Sequence, residues 1–273
     1  MNGDERLVDL GAVAPLESIE SGPTGGLFST VVPDGWQQGR GAFGGLTIGL
    51  MARAVERLES PTERPLRSVN ATLGGALRPG PAQLKVTEQR RGRALSTWSV
   101  TVIQEGTVVA SALTVHGLSR SAIELPSTLV APAEVAHDWN ALPVSPVEPP
   151  FAPNFARFFE FRNTGPAPFM RASHARTAGW IRPRVEHRLH DTAELIALSD
   201  AWWPSIFSAM DAMTPMATVS FQWSRHATSA GDAPLYHEGR VLGAGDGFFS
   251  EERVLFSADG RLVALNHQTM AMG

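Results

Sequence analysis

The sequence predicts an α+β fold made of two tandem copies of one unit, each a long helix wrapped by an antiparallel sheet. Three observations predict it: one convincing helix in each half, runs of strand-like residues after each helix, and residues that recur at a fixed offset. Ser96, Gly106, Val109 and Ala110 of the first half return as Ser250, Gly260, Val263 and Ala264, each about 154 residues further on.

Taken in order, "GLFSTVVP" (Gly26–Pro33) reads as a strand, and the loop after it opens a helix of about 15 residues that ends near Leu58. Four strand-like runs follow, "SVNATLGGAL", "AQLKVTEQRR", "LSTWSVTVIQ" and "TVVASALTVHG". They are separated by turn signals at Arg78-Pro79-Gly80-Pro81, at Gly92 and at Glu105-Gly106. The proline-dense stretch 119–154 reads as an ordered linker draped over the surface between a first unit at 1–118 and a second at 155–273. In the second unit "FARFFEFRN" and "HARTAGWIRPRV" read as strands and "DTAELIALSDAWWPSIFSAM" as one helix, followed by four more strands. A helix buried on the concave face of a sheet long enough to wrap it is the hotdog arrangement, so the prediction is a double hotdog.

Composition narrows the function. The 273 residues are 43% hydrophobic, which suffices for one large core or two of ordinary size. A net charge of −4, with Lys85 as the single lysine, offers no basic stripe for nucleic acid. No window holds the roughly 18 apolar residues of a membrane span, and the acidic start "MNGDERLVDLGAV" has no signal-peptide core, so the expected location is the cytosol. The absence of cysteine excludes disulfides, thiolate catalysis and cysteine metal ligands.

Gly39-Arg40-Gly41-Ala42-Phe43-Gly44 fits G-x-G-x-x-G, the spacing that cradles a dinucleotide pyrophosphate. The context does not fit. "PDGWQQ" separates the preceding strand from Gly39, the acids about 20 residues on (Glu59, Glu63) lie in a helix end and a loop, and no further helix alternates with strand. Nicotinamide and flavin cofactors are therefore not expected. Two readings of the glycines stay open: Gly44 and Gly45 expose helix-terminal amides to a developing oxyanion, or they let the helix start pack closely against the sheet.

In "IALSDAWWPSIF" one carboxylate, Asp200, sits among Leu195, Ile196, Leu198, Ala201 and Trp202, which marks it as a semi-buried general base. Gln268 shares a strand face with Asn266 and Met270, and its neutral amide could place a water for Asp200. Thr218, in the strand after the helix, could add a hydroxyl. His187, His190, Asp191 and Glu194 match no metal-ligand spacing; Asp191 or Thr192 reads as a helix N-cap, and no metal is expected. No G-x-S-x-G is present for a serine nucleophile.

"GWQQGRGAFGG" running into the helix, "ALRPGPAQLKVTEQRRGRALSTWSVTVIQEGTVVASA", "LSDAWWP" and "ADGRLVALNHQTM" together resemble the acyl-CoA thioesterase II family over nearly the whole chain. The resemblance implies a double-hotdog enzyme that hydrolyses acyl-CoA to fatty acid and CoA without cofactor or metal. It implies that Asp200, Gln268 and a threonine activate the water. The "AT" dipeptide puts that threonine at Thr218, whereas matching the downstream strand puts Met216 there. Gly44 and Gly45 would serve the oxyanion, while Phe43, Trp202, Trp203, Phe207 and Met210 would line the acyl tunnel and Arg90, Arg91 or Arg93 would meet the CoA phosphates. Pseudo-dimers of this kind are expected to associate as homo-oligomers. The alternatives are a non-catalytic acyl-CoA-binding or scaffold protein on the same fold, and a hotdog hydratase, whose Asp/His pair has no histidine here near the first helix start.

Overall fold

The structure, a computed structural model, describes residues 13–120, 128–136, 138–184, 190–227 and 233–273. Its strands are β1 (Glu17–Gly22), β2 (Gly25–Val32), the short pair β3 (Gln37–Gln38) and β4 (Gly41–Ala42), β5 (Leu66–Leu73), β6 (Gly80–Arg91), β7 (Leu95–Gln104) and β8 (Thr107–Gly117). In the second half they are β9 (Phe159–Asn163), β10 (Arg176–Pro183), β11 (Met216–Arg225), β12 (Leu235–Gly245), β13 (Phe248–Phe256) and β14 (Leu262–Met272). The α-helices are α1 (Gly44–Glu56) and α2 (Thr192–Asp200). Twelve strands form one antiparallel sheet in the order β1-β2-β6-β7-β8-β5-β11-β14-β13-β12-β10-β9. Read outward from the β5–β11 seam, the two halves have the same order, with β1 matching β9 and β2 matching β10. This is a double hotdog.

The repeat extends to irregularities. Val109 is an extra residue in β8 opposite β7, and Val263 is one in β14 opposite β13. Each bulge carbonyl accepts two successive amides, from Gly74 and Gly75 onto Val109 and from His226 and Ala227 onto Val263. A second pair of bulges falls at Arg67 in β5 and Val219 in β11. Gly106 and Gly260 both turn with positive φ, 75° and 80°, which glycine adopts without steric penalty. Ser96 and Ser250 are not equivalent. Ser96 is buried opposite His116, while Ser250 is exposed opposite Thr269, one step out of phase.

The helices depart from the strand offset too. They start at Gly44 and Thr192, so Leu198, Ser199 and Asp200 lie at the end of α2 and do not occupy the place of Gly44 and Gly45. The two helices pack antiparallel through small residues. A Cβ on Gly45 would meet the Ala197 Cα at 2.8 Å, and one on Gly49 would meet the Ala193 carbonyl at 3.2 Å. Ten residues of α1 and all nine of α2 are buried, which is why neither shows a clean polar face.

The helix expected across Asp191–Met210 is shorter than that. Pro204 lacks an N–H and keeps Trp203 out of helical geometry, so α2 stops at Asp200 and a 3-10 turn follows at Ser205–Ser208. The opening of "FARFFEFRN" is likewise a 3-10 turn, Asn154–Phe158, ahead of β9. Val135 and Trp139 of the proline-rich segment pack with Trp180, Tyr236, Val254 and Phe256 in a small second core on the outer sheet face. Arg162 and Arg182 lie against the Trp139 ring at 4.3 and 5.0 Å.

Candidate active site

Asp200 ends α2, and the antiparallel packing brings it to the start of α1. Its side chain, in a residue 8% exposed, accepts the Gly45 amide on Oδ2 at 2.7 Å and the Gln268 amide on Oδ1 at 2.8 Å. The Gly45 interaction places a carboxylate at a helix N-terminus, where amide and dipole both favour negative charge. Gln268 is fixed in turn: Nε2 also donates to Asn266 Oδ1 at 2.8 Å, and Oε1 accepts the Thr218 hydroxyl at 2.9 Å. Asn266 donates to the Gln222 carbonyl at 2.9 Å, which anchors the chain to the backbone.

The structure therefore brings Asp200, Gln268 and Thr218 together. Thr218 lies immediately upstream of the bulge at Val219, opposite Met270 and on the same strand face as Gln268. Met216 pairs with Met272, further along β14 from Gln268.

Both glycines serve close approach. A Cβ at Gly44 would stand 2.8 Å from Asp200 Oδ2, and one at Gly45 would stand 2.5 Å from the Phe43 ring. The Gly45 amide is engaged by Asp200 and faces the carboxylate, while among the described residues none bonds the Gly44 amide.

Phe43 and Trp202 are packed side chains at the site's border. Phe43 stacks on Phe155 with centroids 4.2 Å apart. Trp202 stacks on His237 at 5.0 Å and 5°, beside Phe161 and Trp203. Gly179 makes room for it, since a Cβ there would lie 2.7 Å from the indole. Burial, with the Arg253 charge adding to it, pushes the His237 pKa far below the usual range, so the imidazole is neutral. Phe207 packs on Phe169 beyond the helix break.

Sequence reasoning missed the support beneath Asp200. Arg253 and Glu251 project from β13 onto the concave face, opposite Asn266 and Gln268. The strand runs Glu251-Glu252-Arg253 before Val254 and Leu255, and three successive charges give no alternation from which to read a buried face. In the first half the matching positions are Val100 and Trp98 opposite Ala112 and Thr114, with Leu66 in the place of Thr218. At these positions the second copy is polar, and the first, apart from Thr114, is apolar.

Arg91 is engaged elsewhere, with Glu59, Glu88 and the Trp98 ring. Glu59 follows α1, so this cluster lies about 20 Å along the helix from Gly44. Asp191 is the N-cap of α2, accepting the Glu194 amide at 2.8 Å, and it also holds Arg53. His190 bonds Glu194 and the Ala233 carbonyl, and His187 lies outside the described residues.

Two hotdog units in one chain, with the Asp200-centred polar cluster where α2 ends on the start of α1, define a double-hotdog protein of the thioesterase type. Residues 32–117 match the acyl-CoA thioesterase N-terminal domain and residues 130–272 the acyl-CoA thioesterase C-terminal domain, and the chain belongs to the acyl-CoA thioesterase family. Three solved structures have the same fold. A conserved protein of unknown function with hot dog fold from Alicyclobacillus acidocaldarius is 21% identical over 97% of each chain, with a TM-score of 0.87. An acyl-CoA thioesterase II, TesB2, from Mycobacterium marinum is 18% identical over 97% of this chain and 98% of its own, at 0.75. The tesB protein of Mycobacterium avium subs paratuberculosis is 20% identical over the same shares, at 0.74. No curated protein matches in sequence. Among the described residues no helix is long and apolar enough to cross a membrane.

Proposed function

We propose that the protein hydrolyses acyl-CoA thioesters to a free fatty acid and CoA, with Asp200 as general base. The observation that carries this reading is the buried Asp200 carboxylate, held by Gly45 and Gln268 with Thr218 behind it. Both Gln268 amide protons are engaged, on Asp200 and Asn266, and Oε1 has one lone pair beyond the Thr218 bond. A water would therefore donate one proton to Asp200 and the other to Gln268 Oε1, which turns its lone pair toward the thioester carbonyl. Asp200 takes the proton as the C–O bond forms. The oxyanion then faces the α1 N-terminus, where the Gly44 amide is the available donor; such donors contribute roughly 3 to 4 kcal/mol. Collapse expels the CoA thiolate, which takes up the proton held by Asp200.

The test is thiol release from acyl-CoA substrates of graded chain length. Turnover with at least one substrate is expected, falling about 100-fold or more in Gln268→Ala. Tight acyl-CoA binding without thiol release would instead identify a non-catalytic binding protein.

A further inference from the structure

The Arg253–Glu251 pair is buried, at 1% and 0% exposure, in a sheet face that needs no charge for its stability. In the first half those positions are Val100 and Trp98, and apolar residues of similar volume are often at least as stabilising as a buried ion pair. The pair stands in the copy whose helix α2 ends on Asp200. Its contacts point to that residue.

Arg253 Nη1 donates to the carbonyls of Asp200 at 2.9 Å, Trp202 at 3.2 Å and Ser199 at 3.4 Å, and it stands 3.7 Å from Asp200 Oδ1. These include carbonyls that a helix end leaves without intrahelical donors, and Pro204 prevents the helix from continuing to supply them. Nε of Arg253 donates to Glu251 at 2.8 Å, and Glu251 accepts both the amide and the hydroxyl of Ser205 at 3.0 Å. One guanidinium thus fixes the chain on both sides of the carboxylate, and its counter-ion fixes the turn that follows.

We propose that Arg253 is a positioning residue for thioester hydrolysis: with Glu251 as counter-ion, it holds residues 199–202 so that the Asp200 carboxylate meets the α1 N-terminus and Gln268 in the orientation water activation requires. The role rests on the assignment of Asp200 as general base.

The test compares wild type, R253M, R253K and the double variant E251Q/R253M by thiol release and thermal unfolding. R253M alone leaves Glu251 buried without its counter-ion and is expected to fold poorly. The double variant removes both charges at similar volume. It is expected to keep KM within about twofold of wild type while kcat falls about 10- to 100-fold, the scale of a small misplacement of a catalytic group. R253K, which keeps the charge with fewer donors, is expected to recover part of kcat. A folded double variant with wild-type kcat overturns the proposal. Should the double variant not fold, R253K decides: reduced kcat at unchanged KM supports the role, and wild-type kcat overturns it. Wild-type protein that releases no thiol overturns the hydrolase assignment itself, whereas active wild type with an unaffected variant overturns the positioning role alone.

Discussion

The two glycines at the start of α1 separate stability from activity. A Cβ on Gly45 would press on the Phe43 ring and on the Ala197 backbone, and a helix backbone cannot yield without parting the helices. Gly45→Ala is expected to lower stability by about 1 to 3 kcal/mol, read by denaturant unfolding. A Cβ on Gly44 meets the Asp200 carboxylate, which can rotate away at less cost. Gly44→Ala is expected to fold with a smaller loss of stability while kcat falls about tenfold or more, and an unchanged kcat would remove Asp200 from the mechanism. Asp200 itself was legible in the sequence because a lone acid in a run of apolar residues has few explanations. Its partners were less so. Whether the face of Asn266 and Gln268 or that of His267 and Thr269 turns inward follows from strand pairing, and the concave placement of Arg253 depends on a phase that period-2 alternation alone does not fix.

At the scale of elements, the Val219 bulge is the device that turns Thr218 toward Gln268. Without the bulge a regular strand would put Val219 opposite Met270 and turn Thr218 outward, whereas deleting Val219 itself would leave Thr218 beside Ser220, still opposite Met270 and on the Gln268 face. Thr218→Val is therefore expected to reduce kcat about tenfold while the Val219 deletion stays closer to wild type, and the reverse order would contradict the role of the Thr218 hydroxyl. Both main helices and the strands after them were readable from periodicity. The end of α2 was not, although Trp203-Pro204 carried the stop signal, because the apolar residues beyond it continue a helical pattern. The β3–β4 hairpin and β1 escaped notice for a different reason. Two paired residues, and a wholly exposed edge strand, leave no periodic trace.

At the scale of the whole molecule, the fold is symmetric and the site is not. The copies share strand order and bulges, so the double hotdog was legible in the repeat, yet Asp200 at the helix junction is met by polar side chains of the second copy's concave face. The other copy contributes α1 and a buried histidine. His116 donates from Nδ1 to the Arg64 carbonyl, and burial pushes its pKa from 6.5 to about 4. The unfolded chain binds more protons between those values, so this contribution is complete above 6.5 and is lost as pH falls from 6.5 to 4, by about 3 kcal/mol at the lower end. Glu59 acts lower in the scale. Burial raises its pKa, but hydrogen bonds from Ser96, Arg91 and Trp98 outweigh that and leave it below 4.5, so its contribution fades as pH drops past that value. Unfolding midpoints at pH 7.5 and 5 test the histidine: wild type is expected to be less stable at pH 5, and His116→Phe to reduce the difference while the buried His237, lowered by the same desolvation, keeps the remainder. Asp200→Asn, compared with wild type in thiol release from acyl-CoA, tests the general base most directly. A folded variant with kcat lowered about 1,000-fold or more at similar KM is the expected result, and turnover within about tenfold of wild type would contradict the assignment.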